Sequence, residues 1–71
     1  MSKFYSSRQI IQVLQERGFL YVSQRGSHIK FQKISNLTLT VIVPANKKEI
    51  PFGTFKSILR QSRLTENDFK I

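Results

Sequence analysis

The sequence predicts an α+β domain in the order α-β-β-β-α, a three-stranded antiparallel sheet with both helices on one face. Three observations carry this. Hydrophobic residues follow a helical period over residues 6–17, switch to a period of two between residues 19 and 43, and become helical again after Pro51. The period-two segments are joined by tight turns, as in an antiparallel meander with one solvated face. The 39% hydrophobic content then suffices for one core between that sheet and the helices.

The first helix is expected over residues 6–17. Ser6 and Gln9 have the S-x-x-Q spacing of a capping box, with Tyr5 and Ile10 placed as its hydrophobic staple. Ile10, Ile11, Val13 and Leu14 form the apolar stripe, while Gln12, Gln15, Glu16 and Arg17 face out. Gly18 stands where a left-handed cap belongs. A short strand follows at residues 19–23, punctuated by Arg25-Gly26. In residues 27–33, Ile29 and Phe31 point one way, and His28, Lys30 and Gln32 the other. After the Ser35-Asn36 turn, Leu37, Leu39, Val41 and Val43 alternate with Thr38 and Thr40 in a third strand that Pro44 stops. The basic loop 45–49 leads to IPFGTF, where a second helix should begin near Gly53 or Thr54 and bury Phe55, Ile58 and Leu59. Thr65 and Asp68 suggest a last capped turn, with Phe69 as its apolar anchor. No repeat, low-complexity tract or linker divides the chain, so residues 1–71 read as one domain.

Charge is the informative bulk property. Twelve Lys/Arg against four Asp/Glu give +8, and residues 1–63 hold only two acids, Glu16 and Glu49. So basic a domain usually meets a polyanion. A membrane surface is the poorer fit, since no helix is basic on one face and broadly apolar on the other. No apolar run approaches the roughly 20 residues of a membrane span. The N-terminal MSKFYSSRQ lacks the apolar core of a secretory signal, which makes the cytoplasm the expected compartment. One histidine and no cysteine leave no ligand spacing for zinc. Four scattered carboxylates offer no evident pair for magnesium, so no metal and no cofactor are expected.

The lone histidine is the candidate reactive group. If Ile29 and Phe31 are core, His28 and Lys30 share the wet face, about 7 Å apart by the strand rise. Two readings stay open: an incidental exposed histidine, or a proton-transfer group on a phosphate-binding surface built by Arg25, Lys30 and Lys33. Imidazole titrates near neutrality and serves as acid or base without unusual burial. Ser27 is no nucleophile for it, because strand neighbours point to opposite faces; Gly26 and Ser27 shape the turn. Lys47 and Lys48, just before the second helix, are further phosphate-binding candidates, and Pro51 and Gly53 read either as part of an anion site at the helix start or as ordinary helix-entry residues.

ERGF closing the first helix, QRGSHIKF opening a strand, VIVPA, and IPFGTFKSILRQSRLTENDF at the end resemble, in that order and over nearly the whole chain, the HicA (YcfA-like) mRNA interferase toxins of toxin–antitoxin pairs. The resemblance implies a double-stranded-RNA-binding-domain-like fold, ribosome-independent endoribonuclease cleavage of mRNA with the strand histidine, His28, as the essential catalytic residue, and a HicB-like antitoxin as partner; with no metal ligands evident, that cleavage is expected to be metal-independent. Arg25, Lys30, Lys33, Lys47 and Lys48 would then hold the RNA backbone. Two departures stand out. Many members carry a further histidine after the Val-Pro of the third strand, where this chain has Asn46. Where the family often has glycine after the second helix, this chain has Ser62-Arg63, which predicts a less regular cap. The alternatives are a non-catalytic RNA-binding module of the same fold, or an inactive toxin relic that only binds its antitoxin.

Overall fold

The computed structural model describes residues 4–70. The order is α1 (Ser7–Glu16), β1 (Leu20–Arg25), β2 (His28–Lys33), β3 (Leu39–Pro44), α2 (Phe52–Ser62) and a closing 3₁₀ turn (Glu66–Phe69). The strands form one antiparallel sheet in the order β1-β2-β3. This is the α-β-β-β-α architecture that the change of hydrophobic period predicts.

Helix α1 begins and ends as its sequence demands. Ser6 Oγ accepts the Gln9 amide and the Gln9 side chain accepts the Ser6 amide, so the capping box is closed. At the other end Gly18 adopts φ +93, its amide bonds Gln15 O, and the Phe19 amide reaches back to Leu14 O. That pair of bonds is a Schellman motif, and the apolar pair it brings together, Leu14 and Phe19, is buried. Phe19 therefore belongs to the cap and the core, and β1 starts one residue later than the apolar run suggests.

β1 also ends later, at Arg25, because the turn to β2 is only Gly26-Ser27 and pairing continues to Arg25↔His28. Gly26 has φ +54, the left-handed conformation a two-residue hairpin needs. At the β2–β3 turn the register sets Lys33 opposite Leu39. Leu37 is thereby left in the turn, exposed, rather than in the strand.

The core is formed between the helices and one face of the sheet. Phe31, Val41 and Val43 from the sheet are buried with Ile10, Val13 and Leu14 of α1 and Phe55 and Ile58 of α2; Ile11, Ile29, Leu39 and Leu59 pack at its margin. Tyr5, Phe55 and Phe69 form a ring cluster with centroids 5.2 to 6.1 Å apart, tying the segment before α1, helix α2 and the last turn together. Ile50 is buried as well, and its amide bonds Tyr5 O. β1 is an edge strand, exposed throughout and broken by a bulge between Tyr21 and Ser23, which blunts it against further pairing. The opposite edge is covered: Gln61 of α2 accepts the Ile42 amide of β3.

Helix α2 starts at Phe52, one residue earlier than expected, with Pro51 as its cap residue and no side-chain cap. Its end corrects the expectation of an irregular cap. Arg63 takes the left-handed conformation, φ 62, and its amide bonds Leu59 O, the geometry normally left to glycine. Buried Ser62 supports it, its hydroxyl accepting the Leu64 amide and donating to Leu59 O. In the last turn the Thr65 amide and hydroxyl both donate to Asp68, and Arg17 sits 3.0 Å from the same carboxylate. Those hydrogen bonds from Thr65, helped by the Arg17 charge, hold the Asp68 carboxyl below its usual range.

Ser7 makes the tie that the hydrophobic pattern does not announce. It is buried, its hydroxyl donates to Pro44 O and accepts the Lys47 amide, and its own amide bonds Lys47 O. The loop after β3 is thus laced to the start of α1. A second link, Ala45 amide to Ser27 O at 2.7 Å, joins the same loop to the β1–β2 turn.

Two expected outcomes follow from these contacts. Arg63→Gly should stabilise the fold by roughly 0.5–1 kcal/mol in urea denaturation, since glycine relieves a left-handed non-glycine residue. A neutral or negative change would mean that Arg63 makes compensating contacts. Ser7→Ala should cost about 1–2 kcal/mol, because a part-buried amide and carbonyl lose their partner, and should speed amide exchange at Lys47 selectively.

Candidate functional site

Three of the candidate residues come together on the sheet face turned away from the helices. Arg25 is the cross-strand partner of His28, and Lys30 is two positions on, paired with Ser23 on one side and Ile42 on the other. With Ser23 and Ile42 these residues line a shallow concavity of about 390 Å³. Directly opposed residues of antiparallel strands share a face, with Cβ atoms about 4.5–5.5 Å apart, so a guanidinium and an imidazole project side by side. His28 is exposed and Lys30 half-buried. Among the described residues the imidazole makes no hydrogen bond to the chain.

The turn that carries His28 is held by one bond of its own and one from the loop after β3. Gln24 Nε2 donates to Gly26 O at 3.0 Å, and Ser27 O is engaged by Ala45. Gly26 is required for its positive φ and not for space, because a Cβ there would meet nothing within 4 Å.

Lys33 does not join this group. It lies five residues along β2, about 17 Å away by strand rise, and has the opposite parity. Its ammonium stands 6.0 Å from the centre of the Phe19 ring, and its aliphatic stem lies against Gly18. That position, over an aromatic ring beside the C-terminal end of α1, gives the charge a structural partner.

Lys47 and Lys48 are set apart as well. They line an open groove of about 820 Å³ whose other walls are the exposed side of α1 and the helix-side residues Gln24 and Ile29 of the hairpin. The hairpin therefore separates two basic surfaces: Arg25, His28 and Lys30 on one side, and Lys47 and Lys48 on the other. Asn46, after the third strand where many HicA-like sequences carry a further histidine, lines the groove and not the His28 concavity. It adopts φ 58, which asparagine tolerates better than most residues.

Sequence reasoning passed over Arg8, Gln12 and Gln15, which line the same groove. Their i, i+4, i+7 spacing marks one stripe of a helix, a signal that was legible but polar and so easily read as plain solvent exposure. Ile42 is the other omission. It follows from alternation once Val41 and Val43 are core, since the residue between them must face His28's side.

No group of three or more His, Cys, Asp or Glu side chains that could hold a metal ion occurs among the described residues, and no helix among them is long and apolar enough to cross a membrane. No curated protein matches the chain. The family model described as the HicA toxin of bacterial toxin–antitoxin systems does match, over residues 7–64. That span runs from the first residue of α1 past the cap of α2 and includes the whole sheet, the His28 concavity and the loop with Lys47 and Lys48. The chain belongs to the HicA toxin family of bacterial toxin–antitoxin systems.

Proposed function

We propose that this toxin is a metal-independent mRNA endoribonuclease of the cytoplasm, with His28 as its proton-transfer group and a HicB-like protein as its antitoxin. The observation that carries the reading is the placing of His28 between Arg25 and Lys30 on an open concave patch, in a chain of this family. Two cations beside one imidazole suit a phosphodiester: they stabilise charge on the phosphoryl oxygens as the transition state forms. The nucleophile is then the ribose 2′-OH, which already lies next to the scissile phosphate and needs orientation and a base.

In-line displacement sets the attacking and leaving oxygens on opposite sides of phosphorus. A single imidazole therefore serves one of them, taking the 2′-OH proton or protonating the departing 5′-oxygen, and solvent serves the other. The P–O5′ bond breaks as the 2′-oxygen bonds to phosphorus, leaving a 2′,3′-cyclic phosphate and a 5′-hydroxyl. Lys47 and Lys48, across the hairpin, hold the backbone away from the reacting phosphate. Gly26 and Ser27 aim the imidazole by shaping the turn.

Expression of the wild-type chain should arrest growth and fragment mRNA, while His28→Ala at equal soluble level should do neither. The substitution removes an exposed side chain and opens no cavity, so both proteins should melt within about 0.5 kcal/mol of each other. Equal arrest by both would remove His28 from the mechanism. Digestion of end-labelled RNA should proceed in excess EDTA, and a 2′-O-methyl group at the cleaved nucleotide should block it. Products bearing a 5′-phosphate, or activity that returns only with Mg²⁺, would overturn the mechanism. RNA that binds without being cut would favour a non-catalytic RNA-binding module.

A further inference from the structure

The groove on the far side of the hairpin is built from a different set of groups than the His28 patch. Three cations (Arg8, Lys47 and Lys48) and three amides (Gln12, Gln15 and Gln24) line it. The chain has six glutamines. Gln9 closes the α1 capping box, Gln32 donates to Thr40 across the sheet, and Gln61 accepts the Ile42 amide. The other three all face this groove. Gln24 uses one N–H on Gly26 O, and among the described residues Gln12 and Gln15 make no side-chain hydrogen bond to the chain. Half of the chain's glutamines thus converge, with amide groups left to bond something else.

We infer that this groove is a base-reading subsite for single-stranded RNA, in which Gln12, Gln15 and Gln24 contact base edges while Arg8, Lys47 and Lys48 hold the flanking phosphates. A carboxamide offers both donors and an acceptor, and paired donor–acceptor contacts are what distinguish one base edge from another. Unpaired RNA presents those edges freely, whereas duplex RNA pairs its Watson–Crick edges and hides its major-groove edges in a deep, narrow groove. A nucleotide engages both sets at once, its phosphate with the cations and its base edge with the amides. Ile11 and Ile29 supply an apolar floor on which a base face can rest. The inference rests on the RNA-directed reading above and extends it: nucleotides some way along the strand from the cleaved phosphate would be chosen here, across the hairpin from His28.

The test uses the full chain carrying His28→Ala, so that binding is read without cleavage. Its affinity for a panel of single-stranded RNA oligonucleotides differing in base composition is compared with that of the same chain carrying Gln12→Ala and Gln15→Ala. Both glutamines are exposed on α1, where alanine favours the helix. The double change should lower affinity for the preferred oligonucleotide about tenfold, narrow the spread across the panel, and leave the salt dependence unaltered. Arg8→Ala should instead weaken all oligonucleotides alike and flatten the salt dependence. An unchanged panel after Gln12→Ala and Gln15→Ala overturns the subsite, even if the wild-type chain cuts RNA. So does a loss of poly-glutamate binding with RNA binding intact, which would make the groove a protein-binding surface. Selective RNA binding that depends on these glutamines upholds it, even if His28 proves to have no catalytic role.

Discussion

The placement of the sheet-borne functional candidates depends on the parity of β2 about Phe31. This central strand pairs on both sides, and Phe31 is buried with Val41 and Val43 against the helices. With that side chain inside, alternation turns His28 and Lys30 to the opposite face and brings Arg25 beside His28 through the pairing with β1. A one-residue slip would put the imidazole into the core and Phe31 into water. The two-residue Gly26-Ser27 turn opposes such a slip, because lengthening or shortening it would break the Arg25↔His28 pair. Gly26, with no side-chain contact to make, therefore acts on the site wholly through its backbone angle.

Much of this was legible because local rules and tertiary need agree. The Ser6/Gln9 box, the Gly18 cap, the alternation of β2 and the Thr65/Asp68 turn each depend on residues within a few positions of one another. What was not legible depends on residues far apart in sequence. Ser7 looks like a second serine beside a cap, and only the folded chain shows its hydroxyl bridging Pro44 and Lys47. Lys33 looks like one more cation on a basic strand, and its role follows from Phe19 and Gly18, which approach only when β2 passes the end of α1. Arg63 violates the glycine rule for a left-handed cap, and Ser62 provides the bonds that sustain it. Charge counting likewise found the cations but could not divide them between the two sides of a hairpin.

In the proposed reading, that division separates stability from function. The aromatic cluster of Tyr5, Phe55 and Phe69 and the Schellman pair Leu14 and Phe19 lie on the helix side of the sheet and hold the fold together. The His28 concavity lies on the other face, where the sheet alone supports it. Phe69 falls outside the stretch that matches the family, residues 7–64, yet is fully buried. The last turn thus completes the core without touching the site.

A domain of this size buries only about 60% of the surface its unfolded chain exposes, and its single core is taken up by packing. It has no interior in which to desolvate a base or enclose a substrate. Chemistry on such a scaffold must come from proximity and from fixed charge on an open face, and in the proposed reading Arg25, His28 and Lys30 supply both. An open site has no lid of its own, so nothing within the described residues shields the imidazole. In the reading proposed here, control therefore passes to a second protein. On that reading, a partner that covers the concavity meets a basic, strand-built surface open to solvent, and occlusion would suffice to inhibit it.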